Sequence, residues 1–168
     1  YWEKSMAAEN LRQSENFTKA VLNNLPVGIA VNSVSPAVDF TYMNDNFPKF
    51  YRTTRETLIN PDSFWEVVYE DPEFRDHIKN RILEDCAADD PEKMKWNNIP
   101  ITRNGEETTY LSARNIPLPD RGLMISMVWD VTELKKAGDA LKASEERFRT
   151  MVETINDMIW EVDASGRY

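Results

Sequence analysis

Along the chain the spacing of apolar positions switches between the helical and the strand period, and the switches mark out the elements. From about Met6 to Asn24, Leu11, Phe17, Ala20, Val21 and Leu25 recur near helical spacing until Pro26 stops the pattern, which predicts a leading helix. Residues 27–32 form a short apolar run ending in polar side chains and residues 38–43 alternate, so two strands of a hairpin are expected around the loop 33–37. Asn44, Asp45 and Asn46 bring side chains that accept hydrogen bonds from the exposed amides of a helix start, and a short helix carrying Phe47, Phe50 and Tyr51 follows. More helical turns are expected through 64–68. At Asp71-Pro72-Glu73 a capping Asp, a Pro at the first helical position and an acid in the first turn open a longer helix to about Ala87. Strand-like segments at about 94–102, 107–117 and 123–131, separated by turn-like residues 103–106 and 119–122, complete the pattern, and another helix starts near Thr132. Two strands, several short helices and three strands make an α+β domain on one antiparallel sheet.

The chain also repeats itself. Leu11-Arg12-Gln13-Ser14-Glu15 returns as Leu141-Lys142-Ala143-Ser144-Glu145, 130 residues on, and the same offset pairs Leu22 with Val152, Leu25 with Ile155 and Ile29 with Ile159. A unit begun twice and completed once is implied, with Ile159-Trp160-Glu161-Val162-Asp163 as a strand of the second copy and the chain ending inside that copy. The expected organisation is an incoming linker helix at 1–13, a domain at 14–132, a coiled-coil-like linker at 133–147 and the start of a second domain at 148–168. In that linker Leu134, Leu141, Phe148 and Ile155 recur every seven residues, with Ala137, Ser144, Met151 and Met158 three further on, the a/d seam of a coiled coil. Small Ala137 and Ser144 and the interrupting Gly138 weaken the seam, which suits a switch better than a clamp.

Composition narrows the function. A length of 168 residues allows one domain and part of another, and 41% hydrophobic with 29% charged residues describes a globular chain with a solvated surface. The net charge of −9 repels nucleic-acid phosphates and anionic headgroups, so no nucleic-acid partner is expected. No apolar run approaches the roughly 18–20 residues of a membrane helix, and no signal peptide is visible, so the expectation is a fragment that is not membrane-inserted, from a parent that is cytoplasmic or membrane-attached. The single cysteine, Cys86, leaves no internal disulfide and fits a reducing compartment. One His, one Cys and no glycine-rich phosphate loop leave no set of groups for nucleophilic or metal chemistry, and the chain is expected not to be an enzyme.

The order of elements and several local strings resemble the PAS, or sensory box, family. Tyr42-Met43-Asn44 is similar to the end of that family's second strand, and Ile116-Pro117-Leu118 with Gly122 to the turn between its fourth and fifth. Val128-Trp129-Asp130-Val131-Thr132-Glu133 resembles the Asp-x-Thr string that closes its fifth strand, and Leu-basic-x-Ser-Glu the linker between consecutive PAS domains of sensor kinases and diguanylate cyclases. The resemblance implies a five-stranded antiparallel sheet with short helices on one face and flanking helices at both ends. It further implies a sensory, dimerising module of a histidine kinase in a two-component system, the alternatives being a diguanylate cyclase input or a ligand-free interaction domain. Physically, Asp130 and Thr132 read as a helix cap; in the family their positions lie where a signal leaves the domain, which makes them the candidate output junction.

PAS domains hold haem, flavins, small carboxylates or nothing. The Asn-Cys-Arg-Phe-Leu-Gln string of light-sensing flavin domains is missing, and Cys86 falls near the end of the long helix, where a buried, inert thiol is expected. His77 sits on the helix where haem-binding PAS domains place an axial ligand. Phe74, Ile78, Ile82 and Cys86 trace that helix's buried stripe with His77 at its edge, so a solvent-edge histidine is favoured over a haem ligand. For a small organic ligand the candidate pocket is Tyr42, Asn44, Trp65, Trp96, Arg114, Met127 and Trp129, with Arg114 as an anion anchor. No tightly bound cofactor and no metal are expected.

Overall fold

The computed structural model describes residues 2–61 and 63–165, with side chains described for all of these but 3 and 156–165. The elements in chain order are α1 (Trp2–Asn24), β1 (Gly28–Asn32), β2 (Phe40–Met43), α2 (Asn46–Phe50), α3 (Arg55–Leu58), α4 (Phe64–Val68), α5 (Pro72–Ala87), β3 (Lys95–Ile101), β4 (Thr109–Leu118), β5 (Leu123–Asp130) and α6 (Thr132–Ser165). The chain divides into two units, one up to Val131 and one from Thr132.

In the first unit five strands form one sheet in the order β2-β1-β5-β4-β3, every neighbouring pair antiparallel. The pleat sends Ala30, Leu111, Val128, Trp96, Ile99 and Ile101 into a core closed by Phe47 of α2, Phe64, Trp65 and Val68 of α4, and Ile78 and Ile82 of α5. Sheet and α2 approach so closely at Gly28 that a Cβ there would lie 2.7 Å from Phe47 Cα and 2.7 Å from Val128 Cγ1. The long helix starts as its sequence signals require, with Asp71 Oδ1 accepting from Phe74 N at 2.8 Å and Pro72 at its first position. Gly122, at φ 61°, turns β4 into β5, and a bulge between Trp96 and Ile99 carries Asn98 at φ 56°.

Two local expectations are corrected. Asp45 makes no capping bond at the start of α2; Asn44 does so, its Oδ1 accepting from Phe47 N at 3.1 Å. The second is the strand at 159–163, which instead continues α6 to Ser165. A strand needs neighbours to satisfy its amides and carbonyls, whereas a helix satisfies them internally. Ile29 and Ile159, which the repeat aligns, thus sit in different structures: Ile29 is paired with Met127 in the sheet.

The second unit is the single helix α6. Leu134, Leu141, Phe148, Met151 and Ile155 are all exposed on it. Among the described residues no helix is long and apolar enough to cross a membrane.

Candidate ligand cavity

Between the sheet and α2, α4 and α5 lies a cavity with about 50 Å³ of room for the centres of water molecules. Its roof is aromatic: Phe47, Tyr51, Phe64, Trp65 and Tyr69, in or just after the short helices, line it with Phe40 of β2, and with Phe74 of α5 outside the lining they form an unbroken chain of contacts at centroid distances of 5.1–6.3 Å. Trp96 closes the β3 side, its Nε1 donating to Asp85 Oδ2 of α5 at 2.7 Å, so the ring is fixed while its face borders the space.

The floor is different. Asn32 of β1, Ser126 of β5 and Asn115 of β4 border the cavity from three adjacent strands. Ser126 Oγ donates to Asn115 Oδ1 at 2.8 Å, and Asn115 Nδ2 donates to Cys86 Sγ at 3.6 Å. Asn32 Nδ2 donates to Ser33 O at 2.8 Å, whereas its Oδ1 is buried with no hydrogen-bond partner. Burial pushes the Tyr51 and Tyr69 phenols well above their ordinary value and raises the Cys86 thiol, which therefore stays protonated near neutral pH.

Of the expected pocket residues, Trp65, Trp96 and Met127 border this cavity. Ser126 and Met127 are consecutive and the pleat sends only one side chain inward. The bond to Asn115 identifies Ser126 as that one, so Met127 meets the cavity with its main chain. Arg114, the register partner of Met127, and Trp129, two residues further on, share the opposite face of the sheet. Tyr42, paired with Val31 between inward Ala30 and Asn32, faces away as well. An anion anchor at Arg114 is thereby corrected.

Asn44 lies outside the cavity too, as a buried hub. Its Oδ1 accepts from Ile29 N and Phe47 N while its Nδ2 donates to Leu22 O and Val27 O, at 2.8–3.1 Å, so one amide ties the end of α1 to β1 and α2. His77 is exposed on α5 and does not border the cavity. Among the described residues no group of His, Cys, Asp or Glu is gathered as a metal site.

Sequence reasoning overlooked Asn32, Ser126 and Asn115, although the pleat could have found them: they alternate with inward Ala30, Val128 and Ala113. It also overlooked Arg103 in the β3–β4 turn. That guanidinium donates to Tyr51 O, Val67 O and Val68 O at 2.8–3.0 Å, where α2 and α4 end and their carbonyls point outward.

At the candidate output junction Asp130 is the exposed last residue of β5 and Thr132 the buried first residue of α6. Between them Val131 N donates to Tyr110 O at 2.8 Å, carrying the β4 pairing to the edge of the helix.

No family model and no curated protein matches the chain. Solved structures do. The PAS domain of an HTR-like protein from Haloarcula marismortui is 14% identical over 75% of this chain and 98% of that one, with a TM-score of 0.50. An RNA-binding Light-Oxygen-Voltage receptor is 19% identical over 81% of this chain, which spans 38% of that one, with a TM-score of 0.52. The PAS domain of BvgS from Bordetella pertussis is 16% identical over 79% of this chain and 98% of that one, at a TM-score of 0.48. The sheet order and the likeness to the Haloarcula marismortui and Light-Oxygen-Voltage structures make the fold that of PAS domains.

Proposed function

We propose that this chain is the non-catalytic sensory module of a larger signalling protein, in which a change at the cavity passes along β5 into α6. The observation that carries the reading is the double role of β5: Ser126 is part of the cavity floor, and six residues later the same strand has become the first turn of α6. A shift of Ser126 and its Asn115 partner reaches Val131 through backbone already hydrogen-bonded to β4.

The exposed heptad seam of α6 favours a homodimer through that helix, since apolar side chains at a and d bury themselves against a second copy. A histidine kinase parent is supported by the Leu-basic-x-Ser-Glu string at 141–145, with a diguanylate cyclase or an interaction-only domain as the alternatives. A cytoplasmic setting follows from that reading. The purified protein is expected to be colourless; a haem Soret band that vanishes in His77→Ala would reverse this.

The coupling is tested in the full-length parent with Asp130→Ala and Thr132→Ala. Losing a helix cap costs about 0.5–2 kcal/mol, a fraction of the roughly 5–15 kcal/mol that holds a domain, so the fold should survive. Output should change far more than the melting temperature. Lys142→Ala, at an exposed position of the same helix, should leave signalling near normal. If the two junction variants signal like the parent while losing stability, the proposed exit route is wrong.

A further inference from the structure

An inward strand position in a domain core normally carries an apolar side chain, because burying a polar group is costly unless every hydrogen bond is replaced. Here three adjacent strands place Asn32, Ser126 and Asn115 on the cavity floor. Ser126 and Asn115 bond each other, and the third keeps an acceptor wholly open: Asn32 is 3% exposed, its Nδ2 gives one N–H to Ser33 O, and its Oδ1 has no partner. The Ser126 hydroxyl, already donating to Asn115, keeps lone pairs that can only accept. The floor therefore asks for a donor from whatever fills the space.

The walls say what that filler is not. Among the described residues, none that lines the cavity is Asp, Glu, Lys, Arg or His. Burial, joined at Tyr69 by the neighbouring Tyr51 phenol, favours the neutral form of both tyrosines. A site that resists a phenolate resists a carboxylate for the same reason. The room of about 50 Å³ corresponds to about three to five water positions, the space of one small ring with a substituent.

We propose that the cavity takes a compact, uncharged, largely apolar ligand with at least one N–H or O–H donor, its donor seated on Asn32 and Ser126 and its ring beneath the aromatic roof. The proposal rests on the sensory reading above and adds the chemical class of the signal.

Benzamide and benzoate, one neutral with donors and the other an anion of nearly the same shape, are the probes, titrated at neutral pH into the intact chain by calorimetry and amide NMR. Benzamide should bind saturably and shift the side-chain amides of Asn32 and Asn115, with benzoate at least about tenfold weaker, the worth of one hydrogen bond to a buried partner. Asn32→Leu should weaken benzamide by a similar factor; should that variant not fold, Ser126→Ala serves in its place. Equal or tighter benzoate binding, no binding of either probe at millimolar concentration, or variants that bind benzamide like the parent would each overturn the proposal. The sensory reading is tested apart from it by filling the cavity with Ala113→Leu in the full-length protein. Unchanged output there would sink that reading whichever probe binds.

Discussion

Asn44 carries no charge and is 1% exposed, and its single amide makes four hydrogen bonds to backbone groups of three segments. Asn44→Ala removes the side-chain partner of Ile29 N, Leu22 O and Val27 O, while Phe47 N keeps its backbone contact with residue 44 O; at about 1–3 kcal/mol for a buried group left unpaired, and allowing for partial burial and relaxation, a loss of about 2–4 kcal/mol is expected by urea denaturation. Gly28→Ala drives a methyl into the α2 backbone and should cost about 1–3 kcal/mol in the same measurement, with no space to relieve it. The tyrosines fix a pH dependence. Tyr51 and Tyr69 have folded-state values raised by burial, so their contribution is complete below about pH 10, the unfolded value, and is lost as pH climbs toward the folded values. The urea midpoint should fall steeply above that pH, and the double change Tyr51→Phe with Tyr69→Phe should flatten the fall. At this scale the sequence was a partial guide. The aromatic lining was readable in Trp65 and Trp96, because large rings near short helices have few places to go. The facing of Arg114, Trp129 and Tyr42 was not, because it depends on strand register, which only the pairing of β1 with β2 and β4 with β5 reveals.

Among the elements, α5 was the most legible, since Asp71, Pro72 and Glu73 form a start signal whose mechanism is local: a cap, a fixed φ and an acid at the positive end of the helix. The strands were legible to within two residues, as alternation and the turns at Gly105 and Gly122 bound them. What failed was the segment 159–163, helical here although rich in residues that also suit a strand, because strand formation depends on partners and not on composition alone. α6 also carries a prediction of its own. If its exposed seam joins two copies, Leu141→Ala should shift sedimentation toward the monomer, and Lys142→Ala, off the seam, should not. Small Ala137 and Ser144 on that seam keep the association within reach of a modest concentration change.

For the whole molecule, the net charge of −9 sets one expectation: no binding of duplex DNA at micromolar concentration and physiological salt, checked by fluorescence anisotropy, because there is no counterion release to drive it. The architecture, two strands and then helices and then three strands, was visible in the periodicity alone, since it follows from local patterning. The cavity was not, because it is the space left between elements. Its two indoles have a further consequence. Trp65 and Trp96 are buried at the cavity wall, whereas Trp2 is 86% exposed and Trp129 lies on the other face of the sheet. The protein is thus built with its own optical gauge: among the described tryptophans, Trp65 and Trp96 are the ones that line the cavity, so filling it changes the surroundings of those two buried rings. Emission at the short-wavelength edge should respond to occupancy while the long-wavelength part, dominated by exposed indole, stays still. Trp65→Phe and Trp96→Phe would divide that response between helix roof and sheet wall, so the direction from which a ligand makes itself felt can be read in light without any label.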